Sequence, residues 1–394
     1  MSSSRVSIRN GSGTQFPVLI ALVFICLNLR VVFGGVGPLL PYMHLTQIMA
    51  GALTAFPPLC MGLFAPLGAI ASSRWGEERA LFLAMFVLVV GIVVRSTGLP
   101  GLLIGTVVAS AGIAGLNVLT PVFIRRQFAP RRMGVMMGLY AMMMGGGGGI
   151  MAALAVPLYE ATDGSWPLSL AAAAIPAGFA LIALLPLQGS SHQHVGMRPD
   201  QRWHALLRHR IAWSIIGFFG IQCLVFYTML AWLPVIYVAK GATPGLAGLY
   251  LALCIFAVAA GGFFGPTFAA RMADQRIHIL ASVGLCLVGL LGVLLASVGT
   301  APVWVILLGA GMGAGQGIPG VLYAKRTVSH PQMAQLSSMV QMIGYLIAAT
   351  GPVIAAMLHD WSGGWVWPIG FLVVLLVVNA FVSLHGGRDH KIEG

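Results

Sequence analysis

Met49–Phe56 reads MAGALTAF and Leu246–Leu253 reads LAGLYLAL; APLGAIASSRWGEERALFLA at residues 65–84 has its counterpart in FFGPTFAARMADQRIHILA at 263–281. One offset of 197 residues sets Gly51 on Gly248, Gly68 on Gly265, Arg74 on Arg271 and Arg79 on Arg276. Further along, GIAGLNVLTPVFIRR from Gly112 matches GMGAGQGIPGVLYAKR from Gly311, and Trp166–Pro167 pairs with Trp367–Pro368. A chain that repeats itself at half its length is a tandem of two like units. Both copies run in the same sense, so the units are parallel repeats related by an axis along a membrane normal. That architecture belongs to alternating-access transporters, which hold a solute between their halves near the midplane.

The units are membrane-embedded. Of 394 residues 58% are hydrophobic and 8% charged, with a mean hydropathy of +0.93. A soluble chain carries roughly 25% charged residues, which excludes a soluble enzyme. Apolar windows broken by Gly, Pro and charge predict twelve spans, near 16–40, 49–71, 79–98, 101–124, 133–157, 167–187, 211–238, 246–269, 277–298, 301–323, 333–357 and 365–385. The expected fold is an all-α polytopic membrane protein with twelve transmembrane helices in two six-helix halves. Residues 1–187 form the first half, 188–210 a polar linker and 211–394 the second half. No signal peptidase site follows the first apolar run, so that run is expected to stay as span 1. The five cysteines (Cys26, Cys60, Cys223, Cys254, Cys286) fall in apolar stretches without a CxxC. They read as small buried hydrophobes that imply neither disulfide nor metal, and no cofactor is expected.

Basic residues set the orientation. With both termini cytoplasmic, 18 of the 21 Lys and Arg lie on the cytoplasmic side; only Arg95 and Lys240 fall near the other side, and Arg30 lies within a span. That is a strong positive-inside asymmetry, as in a bacterial inner membrane. The net charge of +12 is spread over short segments beside anionic lipid, which argues against nucleic acid as a partner.

The loop SRWGEER, Ser73–Arg79, resembles the D-R-x-G-R-R type signature that the major facilitator superfamily carries between helices 2 and 3. Arg74 and Gly76 match, while Ser73 replaces the aspartate and Glu77–Glu78 replace basic residues. LNLR with GVGPLLP (from Leu27 and Gly35), NVLTPVFIRRQF (from Asn117), GLYAMMMG (from Gly138) and FFGIQCLVFYTMLAWLP (from Phe218) are similar to the cyanate and 2-nitroimidazole transporter group. The resemblance implies the major facilitator fold and a secondary transporter for a small anionic or polar solute.

All nine acidic residues fall at loops or span ends, and none of the ten histidines lies near a midplane. Proton-coupled transporters commonly keep a carboxylate within a helix, and these spans offer none. One charge stays in the hydrocarbon: Arg30, in IALVFICLNLRVVFGGVGPLLP. Placing it there costs on the order of 2.5–3.5 kcal/mol on insertion scales. Snorkelling is one reading, against which stands a distance of about 15 Å to the helix exit at 1.5 Å per residue. Hydrogen bonding to buried carbonyls is a second. The favoured reading is a wet cavity in which the guanidinium, permanently charged and a planar fork, binds an anion.

Arg30, Gly34, Gly37 and Pro41 share one helix face, where small residues admit a neighbouring helix or leave room for a solute. Asn28 points elsewhere and reads as a packing hydrogen bonder. Counting from Pro41 and Pro234 sets Arg30 against Gln222–Cys223; likewise Asn117 corresponds to Gln316, and Tyr140 to Gln341 with Tyr345 one turn on. In the resembled superfamily the helices that carry these residues line the cavity. The expected substrate-binding set is therefore Arg30, Asn117, Tyr140, Gln222, Tyr227, Gln316, Gln341 and Tyr345. Gly34, Gly37, Trp232, Arg74 and Gly76 serve gating or packing. Phe226, Tyr227 and Trp232 form an apolar wall or gate, with an interfacial anchor as the second reading of Trp232. The Gly145–Gly149 run permits close packing or bending of span 5.

The function these residues support is uptake of a small anion or weakly acidic molecule by a monomer. A co-transported proton would enter with the solute or be shared between Arg30 and its ligand, because no span supplies a carboxylate. The alternative is export of small aromatic or nitro-heterocyclic compounds. A membrane enzyme or receptor lacks support: there is no metal-ligand spacing, GxSxG elbow or carboxylate pair.

Overall fold

A computed structural model describes residues 12–128, 132–187, 206, 208–328, 330–388 and 392. Most of the polar linker predicted at 188–210 lies outside these residues.

Among the described residues twelve helical segments follow one another. Helix 1 is Ser12–Gly34 and resumes as Val36–Leu39; helices 2 to 5 are Gln47–Trp75, Glu77–Arg95, Leu99–Gln127 and Met133–Ala161. Helix 6 comes in two pieces, Trp166–Ala171 and Ala174–Leu184. Helices 7 to 12 are Arg210–Ala239, Pro244–Ala270, Arg276–Leu295, Ala301–Arg326, His330–Ser362 and Val366–Gly387. Ten of the segments are long and apolar enough to cross a membrane unaided. Helix 3 gathers Glu77, Glu78, Arg79 and Arg95 at its two ends, which shortens its uncharged length. Several helices overrun the predicted spans, most of all helix 11, because the backbone ladder continues past the hydrocarbon into polar residues, while helices 3, 6 and 9 end about three residues short of theirs. Successive helices reverse direction. Helices 1, 3, 5, 7, 9 and 11 therefore end on one face, called the far face, and helix 1 begins and helix 12 ends on the opposite face, called the terminal face.

The repeat seen in the sequence reappears in the local chemistry. Thr46 caps helix 2 by accepting from Met49 N at 3.2 Å, and Thr243, 197 residues on, caps helix 8 by accepting from Leu246 N at 3.3 Å. Both satisfy an orphan N–H at a helix start. Within the first six helices, helix 1 packs on 5, 4 and 6, helix 2 on 4, and helix 3 on 4 and 6; helices 7 to 12 repeat the scheme. Contact across the two sets runs mainly through helices 2 and 11 and helices 5 and 8. The paired glycines of the repeat sit in those seams. A Cβ on Gly51 would lie 2.9 Å from Pro352 O, and one on Gly248 would lie 2.9 Å from Ala152 O. Such approaches let dispersion act between backbones where lipid supplies no hydrophobic drive.

Helix ends are tied without carboxylates from the interior. Gly76, at φ +87°, forms the one-residue link between helices 2 and 3 that its lack of a Cβ permits, and Arg74 lies exposed just before it. Glu77 pairs with Arg126 at 2.8 Å, and Asp274 with Arg276. Hydrogen bonds from Arg276 hold the Asp274 carboxyl below its usual range. On the far face Lys240 Nζ donates to Val293 O at 2.8 Å and Leu294 O at 3.2 Å, with Ala296 O as a third acceptor. These are last-turn carbonyls of helix 9, where a cation also meets the negative end of the helix dipole. Lys240→Met is expected to cost about 1 kcal/mol. A thermal melt in detergent should register it as a shift of a few degrees, and an unchanged midpoint would contradict the capping role.

Candidate substrate site

Helix 1 delivers Arg30 to the middle of the bundle just before it breaks. Pro38 has no N–H to continue the ladder, and the helix ends at Gly34 and resumes at Val36. Gly34 and Gly37, on the arginine's face, are filled by neighbours. A Cβ on Gly34 would stand 2.1 Å from Gly148 O of helix 5, and one on Gly37 would stand 2.5 Å from Leu230 O of helix 7. Close helix approach is realised at both glycines, and Gly37 also borders a small cavity. The glycine run of helix 5 works likewise on two sides: Gly147 lies against Leu27 O of helix 1, and Gly145 against Ala259 of helix 8.

The half-buried Arg30 is met by helix 7. Its Nη1 donates to Tyr227 Oη at 3.1 Å, and Tyr227 in turn donates to Met61 Sδ of helix 2 at 3.2 Å. The guanidinium carbon lies 4.7 Å from the centroid of Phe226 and 5.5 Å from that of Tyr227, within cation–π range. Cys223, Tyr345 and Tyr140 are close enough to interact electrostatically with it. Tyr345 packs edge-on to Phe219, ring centroids 5.4 Å apart. Among the described residues the Arg–carboxylate pairs are Glu77–Arg126 and Asp274–Arg276, both at helix ends. The positive charge at Arg30 thus meets phenols, an aromatic face and a thiol, and no protein anion.

The remaining expected residues fall in different places. Tyr140 Oη donates to Asn117 Oδ1 at 3.3 Å, joining helices 5 and 4; Asn117 Nδ2 donates to Ile113 O of its own helix at 3.1 Å. Gln316 is half-buried, and its Nε2 has no hydrogen-bond partner. Gln341 is exposed and donates to Ser337 Oγ at 2.9 Å along helix 11. Gln222 is a correction. It is fully buried inside the second set of helices, its amide against the Cα of Gly315 and its Oε1 accepting from Cys286 Sγ at 3.6 Å. The repeat register gives depth along a helix but not azimuth. Cys223 and Tyr227, four residues apart, share the face toward Arg30, and Gln222 is turned about 100° away from Cys223. Trp232 is 1% exposed and donates from Nε1 to Pro352 O at 3.0 Å, which removes the interfacial-anchor reading. Asn28 donates to Phe24 O of its own helix at 2.7 Å.

Sequence reasoning missed Arg95. As the last residue of an apolar helix it read as an interfacial cation near the far side. Its side chain is instead 2% exposed and turned into the bundle, with Nη1 donating to Val32 O at 2.9 Å. The available signal was Gly91 and Gly105, whose tight packing of helix 3 on helix 4 leaves the arginine stem to run inward beside helix 1.

Residues 18–331 match the Major Facilitator Superfamily. The chain is 37% identical over 392 residues to the 2-nitroimidazole transporter of Escherichia coli (strain K12), covering 97% of this chain and 98% of that one. It is 28% identical over 373 residues to the cyanate transport protein CynX of the same organism, covering 93% and 96%. A solved bacterial homologue of the human lysosomal transporter Spinster, inward-facing and unoccupied, superposes with a TM-score of 0.76. At 16% identity over 98% of this chain and 100% of that one, it speaks to the fold alone.

Proposed function

The chain belongs to the Major Facilitator Superfamily and is a multi-pass secondary transporter, and on that premise we propose that it carries a small anion or weakly acidic molecule, of the cyanate or 2-nitroimidazole kind, by alternating access. The observation that carries the reading is Arg30, a half-buried guanidinium held by a phenol and an aromatic face with no carboxylate beside it. An anion completes that charge balance, either at the N–H donors that Tyr227 leaves open or by displacing the phenol from Nη1. Tyr140, Tyr345 and Asn117 orient the cargo, with Gln316 and Gln341 reached from the terminal face. Residues 1–187 and 211–394 are the two moving units, joined by 188–210.

The protein sits as a monomer in a bacterial inner membrane with both termini cytoplasmic, the placement that puts 18 of 21 basic residues inside. A proton, where one is moved, travels with the solute.

Proteoliposomes should therefore take up labelled cyanate. Acidic nitroimidazoles should compete in proportion to their ionised fraction, so their competition weakens as pH falls. An uncharged azole of the same size should not compete. Equal competition by that neutral azole would overturn anion selectivity.

A further inference from the structure

A second guanidinium stands on the far-face side of Arg30. Arg95 donates one nitrogen, Nη1, to Val32 O, while its Nε and Nη2 are buried without a hydrogen-bond partner. These two nitrogens share one edge of the guanidinium plane, and their N–H bonds point in nearly the same direction. That edge is the one that accepts two oxygens of a carboxylate or nitrate side by side. Leaving such donors unpaired in an apolar surround is costly, so their vacancy in the protein's own hydrogen bonding marks a place for an acceptor from outside.

Arg95 also borders a cavity. Arg95 and Tyr227 both line this small cavity, together with Gly37, Thr54, Pro57 and Thr106. Thr54 donates to Ala50 O and Gly51 O, and Thr106 to Leu102 O at 2.6 Å, so both hydroxyl protons are already committed within their own helices. Arg95 supplies the free donors. Phe33, Val36, Leu53 and Leu230 complete an apolar wall that strengthens the field of the lone cation. Tyr227 is common to both places: its hydroxyl accepts from Arg30, and the residue also lines the Arg95 cavity.

We propose that this cavity is a second anion site, in which Arg95 Nε and Nη2 bind a planar oxyanion of the nitrate or carboxylate class on its way between the far face and Arg30. The inference rests on the transport reading above for its purpose, but not for its chemistry. Movement of Tyr227 opens the way between the two stations.

Crystals of the full chain soaked in bromide, recorded at the bromine edge, test the two readings separately. Two anomalous peaks are expected, one in hydrogen-bond reach of each guanidinium, and excess nitrate should remove both. A peak at Arg30 alone overturns the second site and leaves the transport reading intact. A peak at Arg95 alone does the reverse, and an empty map overturns both. In proteoliposomes Arg95→Gln should raise the KM for nitrate or cyanate about tenfold with Vmax kept within about twofold, and Arg95→Lys should recover part of the loss. A fall in Vmax with KM unchanged marks Arg95 as a clamp on Val32 only and overturns the proposal.

Discussion

Arg30→Ala is expected to lower cyanate uptake into proteoliposomes at least about a hundredfold, the equivalent of about 2.7 kcal/mol of lost binding. The size follows from the site's composition. Arg30 is the cation against which the phenols and the Phe226 ring are arranged, and Asn117, Tyr140 and Tyr345 offer only neutral dipoles in its place. Lysine should recover little: an ammonium keeps the charge but loses the planar fork and packs less well on an aromatic face. The control is built into the same physics. The alanine variant loses the Tyr227 bond but also sheds a cation that lacks a countercharge, and these oppose each other, so it should melt within a few degrees of wild type. Uptake within about threefold of wild type by a well-folded Arg30→Ala protein would end the anion-binding reading.

Gly37→Val should act on conformation. A Cβ there would lie 2.5 Å from Leu230 O and 3.2 Å from Ala231 O, both backbone atoms of helix 7 that cannot turn aside. Helices 1 and 7 belong to opposite repeats, so the overlap is relieved by parting them on the far-face side, which shifts the population toward far-side opening. In a Thr54→Cys background, where the new thiol faces the cavity, labelling by an impermeant maleimide from the far face should rise about tenfold, a bias of about 1.4 kcal/mol. Gly34→Ala offers the contrast. Its overlap with Gly148 O, at 2.1 Å, falls within one repeat, so it should lower thermal stability without increasing that labelling. Equal labelling in the Gly37→Val and parent proteins would show that the contact does not hold the far side shut.

Much of this architecture was legible because two independent patterns agree. The offset of 197 residues and the lopsided placement of Lys and Arg both demand paired six-helix units, and Thr46 and Thr243 show the offset kept down to single caps. Arg30 was legible for an energetic reason, as the one charge inside a span that no partner in the sequence could neutralise. Directions around helix axes were not legible. Gln222 and Tyr227 lie within two turns of each other on helix 7, yet one faces Gly315 and Cys286 while the other faces Arg30. Only packing decides which face turns inward. Arg95 was hidden for the same reason: a cation in the last turn of a helix normally reaches water, and its inward course depends on how closely helices 3 and 4 approach.

The phenol of Tyr227 has a consequence for fidelity. It fastens helix 7 to helices 1 and 2 through one oxygen that accepts from Arg30 and donates to Met61. On the proposed reading, a ligand that claims the same Arg30 hydrogen would free the phenol from helix 1 as it arrives, so loading and release of that link would be a single atomic exchange. A carrier wired in this way has no need of a messenger running through its scaffold, and when it has nothing aboard it holds its own door.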